Sequence, residues 1–134
     1  PKGRTSSPLA SEITGKSYAL EENELHWDRI AFEFTPKKTI LRIREKKNGI
    51  LEINCGTERW MENRESTGWL PGESMAGSVW TQDNTCRITI RFIETPFYYT
   101  LRCSFDGDNI QIHASQNVSF GPTELPVICG RIAG

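Results

Sequence analysis

The stretch RFIETPFYYTLRCSFDGDNIQI, residues 91–112, constrains the fold more than any other part of the chain. Phe97, Tyr99, Leu101, Cys103 and Phe105 alternate with Tyr98, Thr100, Arg102 and Ser104; Ile110 and Ile112 resume the beat after Asp106-Gly107-Asp108. Successive side chains of a strand point to opposite faces, so a period of two sends one set to a core and the other to water. Ile30, Phe32 and Phe34 repeat the pattern, as do Leu41 and Ile43, then Cys86, Ile88, Ile90 and Phe92. A helix needs apolar residues every three or four positions, and Ala19 to Asp28 is the nearest, short approach to that.

The interruptions agree with antiparallel strands. Asn48-Gly49 and Asp106-Gly107 suit tight hairpins, and Thr35-Pro36 and Thr95-Pro96 supply turns. About eight strands follow one another at hairpin spacing. An all-β fold is expected, an antiparallel up-and-down eight-stranded barrel, because closing the sheet removes its exposed edges. The 134 residues suffice for a core without metal or disulfide support. The domain is expected over residues 13–134, behind a Ser/Pro-rich linker over residues 1–12. With no initiator Met and no signal-peptide segment, the chain reads as cut from a longer protein.

Charge and composition exclude several partners. A formal charge of −1 supplies no cationic surplus for nucleic acid or an anionic membrane surface. No apolar run approaches the about 20 residues of a membrane span. Cys55, Cys86, Cys103 and Cys129 form no C-x-x-C pair, and the first three share the apolar phase of their strands. They read as free, buried thiols with no metal or cofactor; the compartment is left open.

The sequence is poor in catalytic signals. Gly72-Glu73-Ser74-Met75-Ala76 misses the nucleophile-elbow pattern by its last residue, and Ser74 reads as a loop serine ahead of a strand over 77–81. His113 alternates with Ile112 and Ala114 and is expected to face solvent, while His26 stands beside Trp27 at a loop edge. Two isolated histidines without a carboxylate cluster build no metal site. Arg87, Arg91 and Arg102 share an outward phase that could recognise an acidic partner, but solvated Glu and Thr neighbours across the sheet explain them adequately. The excursion over 57–80 holds three of the four Trp, and long departures from a scaffold are where function concentrates. Trp60, Trp69, Leu70 and Met75 are its candidate interaction surface, since aromatic and Met residues are enriched where protein surfaces meet. Trp80 is expected to turn inward and plug a barrel end.

The run FIETPFYYTLRCSFDGDNIQIHASQNVSFGPTELP, residues 92–126, resembles the end of the C-terminal domain of β-lactamase-related serine hydrolases, bacterial relatives of class C β-lactamases and penicillin-binding proteins. Glu94-Thr95-Pro96-Phe97, Phe105-Asp106-Gly107-Asp108 and Asn117-Val118-Ser119-Phe120-Gly121-Pro122-Thr123-Glu124 carry the likeness, and Gly15-Lys16-Ser17-Tyr18 resembles that domain's first strand. The resemblance implies a lipocalin-like barrel placed after a serine hydrolase domain that owns the catalytic S-x-x-K. This chain contains no S-x-x-K, so no catalytic residue is carried over and the fragment is expected not to be an enzyme. The expected partner is the upstream hydrolase domain. The rival reading is a lipocalin-like carrier with a small molecule inside, and the bulk of Phe32, Phe34, Phe92, Tyr99 and Phe105 weighs against it.

Overall fold

Each alternating run of the sequence is a strand. Residues 4, 6–57, 59–63, 73–93, 98–118 and 121–133 are described in a computed structural model. A single helical turn α1 (Ala10–Ile13) leads into β1 (Ser17–Leu20), β2 (Trp27–Phe34), β3 (Lys38–Glu45) and β4 (Gly49–Gly56). The chain continues through β5 (Met61–Asn63), β6 (Ser74–Gln82), β7 (Thr85–Phe92), β8 (Tyr98–Asp106), β9 (Asn109–Val118), β10 (Gly121–Glu124) and β11 (Ile128–Ile132). The sheet runs β11-β1-β2-β3-β4-β6-β7-β8-β9 and closes on itself through β9 and β11, a mixed barrel of nine strands. β5 and β10 pair outside the ring, with β6 and β9.

Two details depart from the eight antiparallel strands read from the sequence. The ninth strand is β11, whose alternation is hidden because Gly130 stands at its centre between Ile128 and Ile132. That position has no room for a side chain: a Cβ there would lie 2.7 Å from both the Ala19 carbonyl oxygen and the Leu20 side chain. Secondly, β4 meets β6 in parallel, through the single pair Gly56 and Gly77, after the excursion has turned the chain back. A Cβ on Gly56 would lie 1.7 Å from the Arg59 carbonyl oxygen, so the return path crosses bare backbone.

Side chains complete this seam. The Asn63 amide donates to the Asn54 carbonyl at 3.0 Å and its oxygen accepts from the Asn54 N–H at 3.0 Å, as a neighbouring strand would. Inside the wall, the buried Ser78 hydroxyl donates to Thr39 at 2.8 Å. The edge of β6 is covered further along by Arg4, which exchanges backbone hydrogen bonds of 3.1 and 2.8 Å with Trp80. Arg4, Leu9 and Ala10, from the stretch read as linker for its Ser and Pro content, thus lie against the barrel. Arg4 also pairs with Asp83, and Leu9 and Ala10 pack on the core beside buried Ile13.

The inward set fills the barrel. At one end Trp80 sits 5.1 Å from Phe34 and 6.0 Å from Phe105, ring centre to ring centre. Phe105 in turn meets Phe32 edge-on at 5.4 Å and Tyr18 at 5.9 Å. Toward the other end Phe92 and Tyr99 form an edge-to-face pair at 5.6 Å. Between them Cys55, Cys86 and Cys103 are unpaired and buried, with Cys86 directly opposite Cys103. Burial pushes the Cys86 thiol up to about 12 and raises Cys55 and Cys103 as well, because a thiolate would lose its hydration there.

A thiol reagent should modify the half-buried Cys129 in the native protein and reach the other three only after denaturation. Because the Cys86 thiol ordinarily titrates at 9.0 and here only near 12, the unfolded chain sheds its proton first. Its contribution to stability is therefore complete below pH 9 and is lost as pH rises toward 12; Cys86→Val should flatten that decline in chemical denaturation. At the seam, Asn63→Ala should cost about 1–3 kcal/mol by stranding the Asn54 backbone groups. Gly56→Ala should cost about 3 kcal/mol or more. Denaturant midpoints measure both, and unchanged stability in Gly56→Ala would show that the crossing is not tight.

Candidate functional site

The outward phase of β6 to β9 forms rows that the register fixes. Val79, Arg87, Arg102 and His113 stand side by side in one row. Gly77, Thr89, Thr100 and Ser115 form the next, and Met75, Arg91, Tyr98 and Asn117 a third. None of these positions holds Asp or Glu. The opposite wall is different: on β2 to β4, Arg42 lies 2.9 Å from Glu52 and 3.6 Å from Glu33, and Arg44 grips Asp28 through two hydrogen bonds of 2.7 and 3.1 Å. The Arg44 guanidinium holds the Asp28 carboxyl below its ordinary range, and Asp28 raises Arg44 in return. Cross-strand ion pairs thus mark β2 to β4, while β7 and β8 set Arg87 directly opposite Arg102.

A groove of about 480 Å³ runs along the cationic wall. Its floor is low because Gly77 has no side chain and Thr89, Thr100 and Val79 are short. Arg91 rises at one end between two rings, its guanidinium carbon 4.7 Å from the Tyr98 ring centre and 5.4 Å from that of Trp60. Each contact is a cation–π interaction worth about 0.5–1 kcal/mol at an exposed site. Asn117 donates a hydrogen bond to the Tyr98 hydroxyl and so holds the ring that Arg91 lies over. The guanidinium is thus within cation–π range of both rings at this end of the groove.

The expected site residues fall unevenly on this surface. Trp60 lines the groove, and Met75 stands half-buried directly opposite Arg91. Trp69 and Leu70 lie outside the described residues, as do Pro96 and Phe97. Sequence reasoning missed Tyr98, Thr89, Thr100 and Gly77. It also set aside Arg87, Arg91 and Arg102 as neighbours of Glu and Thr, whereas Arg87 faces Val79 and Arg102, and Arg91 faces Met75 and Tyr98. The shared phase of Arg87, Thr89 and Arg91 with Tyr98, Thr100 and Arg102 was visible. The register that sets like charges opposite was not.

The fold separates the residues that catalysis would need together. Ser74 opens β6 rather than sitting in a loop, and is 2% exposed on the inward face opposite Phe92. The β-ladder begins there because Ser74 also pairs with Asn63 of β5. His113 belongs to the outer face of the wall, and His26 is exposed in a left-handed turn with φ 60° ahead of β2. Among the described residues no group of three His, Cys, Asp or Glu is arranged to hold a metal, and no helix is long and apolar enough to cross a membrane.

No family model, curated protein or solved structure matches the chain.

The stacked guanidinium gives a measurable expectation. Asn117→Ala should free the Tyr98 ring and cost about 0.5–1.5 kcal/mol, without unfolding the barrel. Near-ultraviolet circular dichroism, which reports on fixed aromatic rings, should fall in Asn117→Ala and in Arg91→Ala. An unchanged spectrum in both variants would mean that the Tyr98–Arg91–Trp60 stack is not held in solution.

Proposed function

We propose that this chain is a non-catalytic interaction barrel, the C-terminal companion of a β-lactamase-related serine hydrolase domain, and that the outer wall of β6 to β8 is its contact face. The observation that supports the binding role is the division between the two sides of the wall. Aromatic and aliphatic side chains occupy the inside, while Trp60, Arg91 and Tyr98 rim a groove on the outside. Aromatic residues and Arg are the side chains that dominate binding energy at protein interfaces. The identity of the partner rests on the resemblance of residues 92–126, and on the barrel's position behind a catalytic domain in that family.

A lipocalin-like architecture is part of the same proposal as topology. From β1 to β4 and from β6 to β9 each strand pairs with its neighbour in sequence, the connectivity of an up-and-down barrel. The carrier role of such barrels is not favoured, because Phe32, Phe34, Trp80 and Phe105 contact one another where a ligand would sit. An autonomous hydrolase acting through Ser74 is not favoured either, since its hydroxyl and both histidines are on different faces or strands.

Association between the barrel and a separately produced upstream hydrolase domain tests the reading. Wild-type barrel should bind that domain or alter its turnover. Trp60→Ala should weaken the association about tenfold or more while leaving the barrel's melting temperature nearly unchanged, since Trp60 is only half-buried. Absence of association by calorimetry, together with unaltered turnover, would overturn the proposal.

A further inference from the structure

We infer that Cys86 and Cys103 form a cross-strand disulfide when the chain folds in the presence of a small-molecule disulfide oxidant. The finished barrel then seals whichever form, dithiol or disulfide, folding has produced. This device lies on the inner face of the wall and does not depend on what the outer face binds.

Position comes first. Cys86 on β7 and Cys103 on β8 are direct cross-strand partners, and both point inward. One step beyond the end of their ladder the Phe105 N–H donates to the Asn84 carbonyl at 2.8 Å, which makes Asn84 and Phe105 a hydrogen-bonded pair. Such pairs recur at every second rung of an antiparallel ladder, so Cys86 and Cys103 are one too, with Cα atoms about 5.5 Å apart. Disulfides span Cα separations of about 4.4–6.8 Å. Directly opposed Cβ atoms stand about 4.5–5.5 Å apart, against about 3.5–4.5 Å in a bridge, so the strands must draw together by about 1 Å. A bridge here is therefore within reach and strained, the kind that a reductant opens readily once it arrives. The register offers the other cysteines no such partner, since Cys55 faces Thr39 and Cys129 faces Gln111. Cys55 is the competitor to be separated, because it lies near enough to Cys86 for the two to interact electrostatically.

Burial then decides when the chemistry can run. The thiolate is the attacking species. In the unfolded chain both thiols titrate near their ordinary 9.0, and the loop between them, about 18 residues, closes at modest entropic cost. One thiolate attacks the oxidant RSSR, its sulfur bonds to one RS group and the other leaves as a thiolate. The second cysteine then attacks the protein sulfur of that mixed disulfide, the Cys86–Cys103 bond forms, and the remaining RS leaves. The two cysteines give up two electrons and two protons, and RSSR takes them up as two RSH. In the folded barrel both residues are 0% exposed, the Cys86 thiol is pushed up to about 12 and Cys103 is raised with it. Neither oxidant nor reductant then reaches the pair unless β7 and β8 part.

The test refolds the denatured, reduced chain with either glutathione disulfide or reduced glutathione, removes the small molecules, and counts thiols by alkylation in denaturant and mass spectrometry. Of the four cysteines, the first preparation should keep two as thiols and the second all four. Peptide mapping of the first should join Cys86 to Cys103. Both preparations should show the near-ultraviolet circular dichroism of a packed aromatic core. Either native form, moved into the opposite glutathione buffer, should change its thiol count at less than about a tenth of the rate seen in denaturant. Cys103→Ala should lose no thiol on oxidative refolding, whereas Cys55→Ala and Cys129→Ala should each still lose two; should Cys103→Ala not fold, the wild-type peptide map decides the pairing. All four thiols surviving refolding with the oxidant, or a bridge mapped to Cys55 or Cys129, would overturn the inference. So would an oxidised chain that fails to regain its aromatic spectrum, because the barrel would then not accept the bridge. Equal exchange rates in native and denatured protein would show that folding seals nothing.

Discussion

Everything in this barrel depends on a closure made where two strands barely touch. Ring closure needs β4 beside β6, yet their direct pairing is one residue long, at Gly56 and Gly77. Two glycines meet there because the returning backbone passes so near that a methyl group on Gly56 would overlap the Arg59 carbonyl. What the main chain lacks, side chains supply: Asn63 imitates a strand against Asn54, and Ser78 bonds Thr39 across the interior. Once this gap is spanned no wide edge is left to pair with another molecule, and the hairpins on either side are held in one register.

Closure also sets the two sides of the wall apart. A ring of this size lined with Phe32, Phe105, Trp80, Tyr18 and the three buried thiols has its inside occupied by its own side chains. The outside is then the surface free to vary, and its two halves differ. Ion pairs tile β2 to β4, each worth little by itself at such exposure, and leave that half electrostatically quiet. The β6 to β9 half concentrates guanidinium groups over a shallow floor. The same alternation that builds the core thus writes the outer pattern, since every inward Ile or Cys fixes the position of an outward Arg or Thr.

The legibility of the sequence follows from that alternation. Residues 86–92 and 98–112 announce their strands because inward positions are bulky and outward ones polar, a contrast that no turn or helix would produce. β11 was missed because its central inward position is Gly130, chosen for the approach of Ala19 and Leu20 and blank to a reader of hydrophobicity. The first twelve residues look like a tether by composition, yet one turn brings Leu9, Ala10 and Ile13 onto the core. Arg87, Arg91 and Arg102 could be counted from the sequence, but their significance lies in who stands opposite whom. That depends on the register of β7 against β8, which goes with core packing on the hidden face. Trp60 was singled out for its chemistry; its neighbours Arg91 and Tyr98 come from two other strands, β7 and β8, more than thirty positions away.

The bridge between Arg4 and Trp80 has a consequence for any backbone that leads into it. Trp80 is preceded in β6 by Val79 of the groove floor, so Arg4 itself is fixed near the groove and anything the chain carried on a short tether there would be held close to it. A short tether of this kind holds what it carries at a local concentration on the order of millimolar. Docking there would then behave as an intramolecular equilibrium, so that even an affinity only just measurable between free molecules would keep the groove occupied most of the time.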